Sequence, residues 1–196
     1  MSFAMGVSYM PEQGLPFAGL LMDEFGHNDD ARRAIESTRL SVVSFTPEFR
    51  FYLSGNAPSG IYLAPFARYT KMEMNQVYAF TASNGLRYYP DVDGSLNYIA
   101  GGLLFGYQFL VGKHFNIDLW IAGPYVGSMN GSFVAIDYKA DMNETIRNDL
   151  KRDIENFEIP LVNIEATVDK PNQVDVKLDG GVLGIRALGF AFGYRF

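Results

Sequence analysis

Alternation of apolar and polar positions is the main signal along the chain, and residues 188–196 show it most clearly. Side chains of a β-strand point to opposite faces at every second residue, whereas those of a helix recur every three or four. One face of this segment carries large side chains: Leu188, Phe190, Phe192, Tyr194 and Phe196. The other face carries four small residues and one charge: Ala187, Gly189, Ala191, Gly193 and Arg195. A soluble sandwich would have solvated polar side chains on that second face, so the pattern favours the narrow interior of a barrel.

Five other segments are compatible with strands: residues 2–9, 45–53, 61–69, 98–110 and 115–125. The alternation is cleanest in residues 45–53, where Phe45, Phe49 and Phe51 oppose Glu48 and Arg50. A closed bacterial barrel usually has an even number of strands and at least eight. We therefore predict an all-β, antiparallel, up-and-down transmembrane barrel of about eight strands, six of them visible. The other two are expected within residues 128–178 or ahead of Met1.

Two insertions interrupt the strands within this single domain, residues 1–196. Residues 11–37 and 128–181 are predicted to be mainly extracellular loops, the first with a short helical stretch at residues 31–36. In the second, Asp141 is expected to cap an amphipathic helix, with Glu144 three residues later. Its apolar stripe is Met142, Ile146, Leu150, Ile154 and Phe157. Ile146, Leu150 and Ile154 define a predicted docking helix. Its apolar stripe is interpreted as a lid over the barrel mouth, as a membrane-surface helix or as a docking element for a partner. Packing of the helix against its own barrel is the simplest interpretation.

Composition excludes several classes of protein. The net charge is −6, from 16 basic and 22 acidic residues, and no basic stripe is visible, so nucleic acid is not an expected partner. No cysteine is present, which removes thiolate catalysis and Cys-ligated zinc. The N-terminal sequence lacks the features of a secretory signal, so we expect a cytosolic chain or a mature or truncated form. The longest weakly polar run, residues 98–112, is shorter than the ~20 residues of a spanning helix.

The ending LGFAFGYRF resembles the terminal sorting strand of outer-membrane β-barrels, in which aromatic residues alternate up to a final aromatic. With TPEFRFYLSGNAPSGIYLAPFARY and GGLLFGYQFLVGKHFNIDLWIAGPYVG, the chain is similar to an uncharacterised family of small outer-membrane barrels over nearly its whole length. The resemblance implies a signal peptide in the precursor, an outer-membrane location and about eight strands. It implies no activity and no catalytic residue. Phe192, Tyr194 and Phe196 are the residues that match the sorting motif.

Alternation also predicts an interior charge network. If the apolar faces point to lipid, five charged side chains point inward: Glu48, Arg50, Arg68, Asp118 and Arg195. A charge facing lipid at the bilayer midplane costs about 2–4 kcal/mol, so these groups require the interior and one another. Eight strands leave room only for side chains, which predicts an occluded lumen. A proton or ion path is the alternative interpretation, and a structural network is favoured because buried charges require partners.

No catalytic, cofactor-binding or metal site is predicted. His27, Asn28, Asp29 and Asp30 lack metal-ligand spacing and suit a solvated loop. Asp141, Asn143 and Thr145 resemble the start of a calcium loop, but Ile146 and Arg152 occupy the positions of its glycine and glutamate. No serine, histidine and acid fall together in sequence. We therefore expect a protein that is not an enzyme.

The sequence favours a non-enzymatic outer-membrane barrel that acts as a structural or accessory envelope subunit, including one attached to a larger assembly. Expected partners are outer-membrane lipid, the barrel-assembly machinery and another outer-membrane protein. The first alternative is a soluble or secreted barrel that binds a hydrophobic ligand, with Tyr62, Phe66, Leu104 and Trp120 as pocket lining. The second alternative is an outer-membrane hydrolase, which would need a catalytic cluster at the barrel rim.

Overall fold

The computed structural model describes residues 1–25, 29–53, 58–112, 114–138 and 142–194, most of which lie in β-strands. The strands are β1 (Ser2–Gly14), β2 (Arg39–Tyr52), β3 (Gly60–Val77), β4 (Phe80–Thr81), β5 (Arg87–Tyr88), β6 (Asp91–Val111), β7 (Phe115–Ile136), β8 (Val162–Thr167) and β9 (Gln173–Tyr194). The helices are α1 (Ala18–Phe25), α2 (Asp29–Ser37) and α3 (Glu144–Glu155). None of the helices in these ranges is long and apolar enough to cross a membrane.

Seven strands form one antiparallel sheet in the order β1-β2-β3-β6-β7-β9-β8, and β4 pairs with β5 in a separate hairpin. The prediction of an all-β antiparallel fold is confirmed. Each of the six predicted segments overlaps one of the long strands β1, β2, β3, β6, β7 and β9, and these strands extend well beyond most of the predicted bounds. The six long strands follow one another across the sheet in chain order. The edge strands of this sheet are β1 and β8, and within the described residues no ladder joins β1 to β8 or to β9. Residues 128–181, predicted as an insertion, begin inside β7 and end inside β9.

The six long strands present a continuous apolar outer face. Every strand contributes exposed aromatic or aliphatic side chains to it, and Phe192 is 74% exposed. Representative members across the sheet are Phe3, Val7, Phe45, Phe49, Ile61, Tyr69, Ile99, Leu103, Phe109, Phe115, Val126, Leu183, Ile185, Leu188, Phe190 and Tyr194. On β6 this face runs from Ile99 to Val111, about 40 Å along the strand at ~3.4 Å per residue.

Aromatic side chains on the inner face lie against glycines of the neighbouring strand. Tyr62 on β3 is directly opposite Gly106 on β6, and a Cβ at Gly106 would overlap the Tyr62 ring. Trp120 on β7 is opposite Gly189 on β9 in the same way. Phe66 opposite Gly102 and Tyr125 opposite Gly184 repeat the arrangement. The many aromatics and glycines therefore alternate as large and small partners across strand pairs, which fills the interior without overlap.

A β-bulge changes the phase of alternation in β7 and β9. Phe105 on β6 pairs with Ala122, but the next residue, Gly106, pairs with Trp120, which leaves Ile121 as the extra residue of β7. β7 and β9 pair in the same register on both sides of Ile121. The inward and outward positions of β9 therefore also exchange at this level. Ile185 and Leu188 are both exposed on the outer face, and Arg186 turns inward with a side chain that is 11% exposed. Bulges commonly redirect side chains in this way.

Helix α3 is covered by the chain's own sheet. Ile146 and Leu150 are buried with Phe80, Ala82, Ala135, Met142, Ala166, Val174 and Val176, and Ile154 packs against this group. The helix begins at Glu144 and Asn143 caps it, because the Asn143 side chain accepts a hydrogen bond from the Ile146 backbone N–H at 3.0 Å. Asp141, the predicted cap, lies outside the described residues. The capping role thus belongs to a side chain two positions later, and asparagine is an equally favoured N-cap.

Candidate functional site

Four charged side chains meet on the inner face and form a central ion cluster: Glu48, Arg50, Asp118 and Arg186. Arg50 on β2 is buried, and its Nε donates a hydrogen bond to Glu48 Oε1 at 2.8 Å. Its Nη2 lies 2.6 Å from Asp118 Oδ2 on β7. Its Nη1 donates to Gln108 Oε1 on β6 at 3.2 Å. One guanidinium therefore joins three strands through its five-donor fork.

Arg186 joins β9 to this cluster from the other side of the interior. Its Nη1 donates to Glu48 Oε2 at 3.0 Å, so the two carboxylate oxygens of Glu48 have different arginine partners. The guanidinium carbon is 4.6 Å from the centre of the Trp120 ring and 5.3 Å from that of Phe66. These distances fit cation–π contacts, which are strongest where water is excluded. The sheet is therefore curled tightly enough to bring β2 and β9 together.

Asp118 is also fully paired. Tyr62 donates its hydroxyl to Asp118 Oδ1 at 2.7 Å, and Trp120 donates Nε1 to Asp118 Oδ2 at 3.1 Å. With Arg50 on the second oxygen, both oxygens of this buried carboxylate have at least one donor. Two arginines and two carboxylates give the cluster no net charge. Such a paired network is what permits charges to be buried.

The structure brings three of the five predicted interior charges into this cluster, namely Glu48, Arg50 and Asp118. Arg68 lies nearby and donates to Thr46 Oγ1 at 3.0 Å. Together with Arg50 and Arg186 it lines a cavity of about 520 Å³ that residues of β1 and β9 also border. Arg195 and the sorting-motif residue Phe196 lie outside the described residues. The other two sorting-motif residues, Phe192 and Tyr194, lie on the exposed outer face.

Arg186 is the cluster member that sequence analysis missed. Strict alternation from the C-terminus places it on the same face as Leu188, which points outward. The bulge at Ile121 reverses the phase of alternation between Arg186 and Leu188. A usable signal was present in the charge itself, because an arginine among Leu183, Ile185 and Leu188 is hard to place on an apolar face.

Beside the cluster, the inner face holds a packed group of side chains. Tyr62 and Leu104 are 0% exposed and form a small core with Ala64 and Phe66, against which Trp120 packs. These aromatic and leucine side chains were the predicted pocket lining of the soluble alternative. In the part of the chain that is described, no three His, Asp or Glu side chains are grouped so that they could hold a metal ion. His114 stacks on the Tyr194 ring at 5.6 Å, and His27 lies outside the described residues. The arrangement supports structural pairing of charge, and we see no assembled catalytic group among the described residues.

Polar contacts fix α3 to the neighbouring loops. Ser83 donates from its backbone N–H at 2.9 Å and from Oγ at 2.6 Å to Asp149 Oδ2. Tyr78 donates its hydroxyl to Asp153 Oδ2 at 2.7 Å, and the Ala166 N–H donates to Glu155 Oε1 at 3.1 Å. Three acidic side chains of α3 thus bind three separate segments, namely the β4–β5 turn, the residues after β3 and strand β8. The helix closes one end of the inner face as a fixed cap.

Lowering the pH is expected to loosen this cap at Asp149. The hydrogen bonds from Ser83, with Arg152 nearby, lower the pKa of Asp149 below its ordinary value of about 3.9. A carboxyl with a lowered folded-state pKa stabilises the fold above its ordinary pKa, and that contribution is lost as the pH falls through the lowered value. Hydrogen exchange of α3 amides, corrected for intrinsic rates, should change little from pH 6 to about pH 4 and increase as the pH is lowered further. In Asp149→Asn the increase should be smaller, whereas Glu158→Gln, with an exposed side chain beyond α3, should behave like the wild type. Identical pH profiles for all three proteins would contradict the role of Asp149.

Comparison with known proteins gives one match. The model of a family described as "Protein of unknown function (DUF3575)" matches residues 24–155, more than half of the chain. No curated protein and no solved structure matches the chain. The matched residues run from the end of α1 to the end of α3 and include Glu48, Arg50 and Asp118, but not Arg186. The chain belongs to the DUF3575 family of proteins of unknown function.

Proposed function

We propose that this protein is an integral outer-membrane β-barrel without enzymatic activity, which serves as a structural or accessory subunit of the envelope. The observation that carries the proposal is an apolar outer face on six strands together with a buried ion cluster on the inner face, formed by β2, β7 and β9. A soluble β-protein buries its apolar face and exposes its charges. The reverse arrangement suits a lipid solvent.

Closure of the sheet between β1 and β9 is part of this proposal. A bilayer offers no water to unpaired backbone groups, so a sheet spans it only when its edges are joined. The six long strands alternate in direction, which makes β1 and β9 antiparallel. They can therefore pair directly or through an even number of further strands. Ala4, Gly6 and Ser8 of β1 line the same cavity as Arg186 and Ala191 of β9, which supports closure at this place.

The accessory role is supported by the length of the strands. About 9–11 residues of tilted strand cross a bilayer, whereas β6, β7 and β9 have 21, 22 and 22 residues. The excess forms an ordered extension with α3 and the β4–β5 hairpin packed on it. An ordered extension beyond the lipid band provides a surface for another envelope component. Capture of that component by chemical cross-linking in intact cells, followed by mass spectrometry, would identify it.

Membrane placement leads to a direct prediction. The protein is expected to fractionate with the outer membrane and to run faster on a denaturing gel before boiling than after it, because a closed barrel stays folded in detergent. In micelles, backbone amides along both β1 and the second half of β9 should be protected from hydrogen exchange. Recovery of native, monodisperse protein from the soluble fraction without detergent would contradict the proposal. Rapid exchange along β1 in the micelle would contradict closure alone.

A further inference from the structure

The outer face becomes polar on the ordered extension. Along β6, the apolar Ile99 is followed toward the start of the strand by Asn97, Ser95 and Asp93 on the same face. The same change occurs on β7 between Val126 and Asn130, and on β9 between Leu183 and Asp179. The polar surface lies directly beyond the apolar band and is separate from the central ion cluster.

Strand register aligns this surface into two rows. The first row runs across four strands as Asn97, Asn130, Asp179 and Asn163, each directly opposite the next. The second row is Ser95, Ser132, Lys177 and Glu165, again in direct register. Neighbouring strands are about 4.8 Å apart, and residues two apart on one strand are about 7 Å apart. The result is a regular grid of amide, hydroxyl, carboxylate and ammonium groups.

These eight residues line one cavity of about 450 Å³, together with Gly131 and Leu178, and we call it the polar groove. Because residues of β6 and β8, three strands apart, border the same space, the face is concave here. The volume is within the range of about 300–1,000 Å³ that is usual for small-ligand sites. An adjoining cavity of about 840 Å³ shares Ser95 and Ser132, so the groove can accommodate an extended molecule.

The polar groups of the groove are largely uncommitted. Among the described residues, the one side-chain hydrogen bond in which the grid takes part is that from the Tyr69 hydroxyl to Asn97 Oδ1 at 3.1 Å. Asn130, Asn163 and Asp179 therefore keep their donors and acceptors for solvent or a ligand. This differs from the central ion cluster, where each carboxylate oxygen has a protein partner.

We propose that the polar groove binds a neutral saccharide. An amide both donates and accepts, and so does each hydroxyl of a sugar, so a grid of amides and hydroxyls matches a polyol. The charges of Glu165, Lys177 and Asp179 sum to −1, which is unfavourable for phosphate or nucleic acid. Leu178 is the one large apolar residue of the lining. An acyl chain or an apolar peptide would therefore bury little apolar surface in the groove and gain little free energy of binding. The groove is formed by side chains of one chain, so binding does not depend on membrane insertion.

The test is binding of the full chain, solubilised in a zwitterionic detergent without a sugar headgroup, to an array of neutral and anionic oligosaccharides. We expect binding to at least one neutral glycan, followed by titration calorimetry with that glycan. Asn130→Ala combined with Asp179→Ala should weaken the affinity about tenfold or more, because two central hydrogen-bonding groups are lost. Asn148→Ala on α3, outside the groove, should leave it unchanged. Gel mobility before and after boiling verifies that each variant is folded.

Three outcomes would overturn the inference. The first is no glycan bound by folded wild-type protein. The second is binding of anionic glycans alone, which would indicate a cationic site elsewhere. The third is binding of a neutral glycan with equal affinity by the wild type and the groove variant. None of these outcomes bears on outer-membrane location, which the fractionation experiment tests separately.

Discussion

Replacing Arg50 with methionine is expected to lower the free energy of unfolding by about 3–5 kcal/mol, the usual cost of breaking a buried ion pair from one side. The substitution keeps a long apolar stem but leaves Glu48 with Arg186 alone and removes the ion pair of Asp118. Gln108 Oε1 also loses a donor. Glu48 and Asp118 are buried, so leaving their charges uncompensated is costly and a large effect is expected at this position.

Urea unfolding in detergent or in lipid vesicles would measure this effect. The matched control is Arg39→Met on the same strand, because Arg39 is exposed; its cost should be below about 1 kcal/mol. Adding Asp118→Asn to Arg50→Met should recover part of the loss, since one uncompensated charge is then removed. Equal losses for Arg50→Met and Arg39→Met would show that the central ion cluster contributes nothing to stability.

Introducing a charge at Ile185 is expected to have the second-largest effect. Ile185 is inside the apolar band, about a third of the way along it from the polar extension, level with Leu103 on β6 and Pro124 on β7, and is 61% exposed. If the band faces lipid, Ile185→Arg should cost about 1–4 kcal/mol in a bilayer, between the values for the interface and the midplane, and reduce the yield of inserted protein.

Asn130→Arg provides the comparison, because Asn130 is exposed on the same face beyond the apolar band. Near or outside the interface the expected cost is about 0–1 kcal/mol. Both proteins should be measured in vesicles, with equal expression verified before membrane extraction. Similar stability and similar membrane yield for the two variants would mean that the band is not in contact with hydrocarbon.

Sequence alone predicted the strands well where one face is apolar and the other polar or small. Residues 45–53 and 115–121 were assigned to their correct faces because charges at Glu48, Arg50 and Asp118 alternate with Phe or Ile. Burial at period two is a local property of a strand, so it can be read from one segment at a time. The same alternation predicted inward positions for Glu48, Arg50 and Asp118, three of the four members of the ion cluster.

Features that depend on pairing between strands could not be predicted. Inward placement of Arg186 requires the bulge at Ile121, which is a property of the β6–β7 register. The row from Asn97 to Asn163 joins residues 66 positions apart, and its members are ordinary polar residues in their own segments. β8 was missed although its apolar residues Val162, Ile164 and Ala166 alternate with the polar Asn163, Glu165 and Thr167, because six residues are a short window for a periodic signal.

The aromatic and glycine pairs of the inner face have a consequence for the order of folding. Tyr62 with Gly106 joins β3 to β6, and Trp120 with Gly189 joins β7 to β9, so each pair is complete once two adjacent strands meet. The ion pair between Glu48 and Arg186 joins residues 138 positions apart and requires the whole sheet to curl. Contacts between nearby segments form early because their loop-closure entropy is small, and distant ones form late. We expect hairpins to acquire their interior packing first and the ion cluster to form last, after the transition state, so that substitutions at Arg186 would accelerate unfolding more than they slow folding.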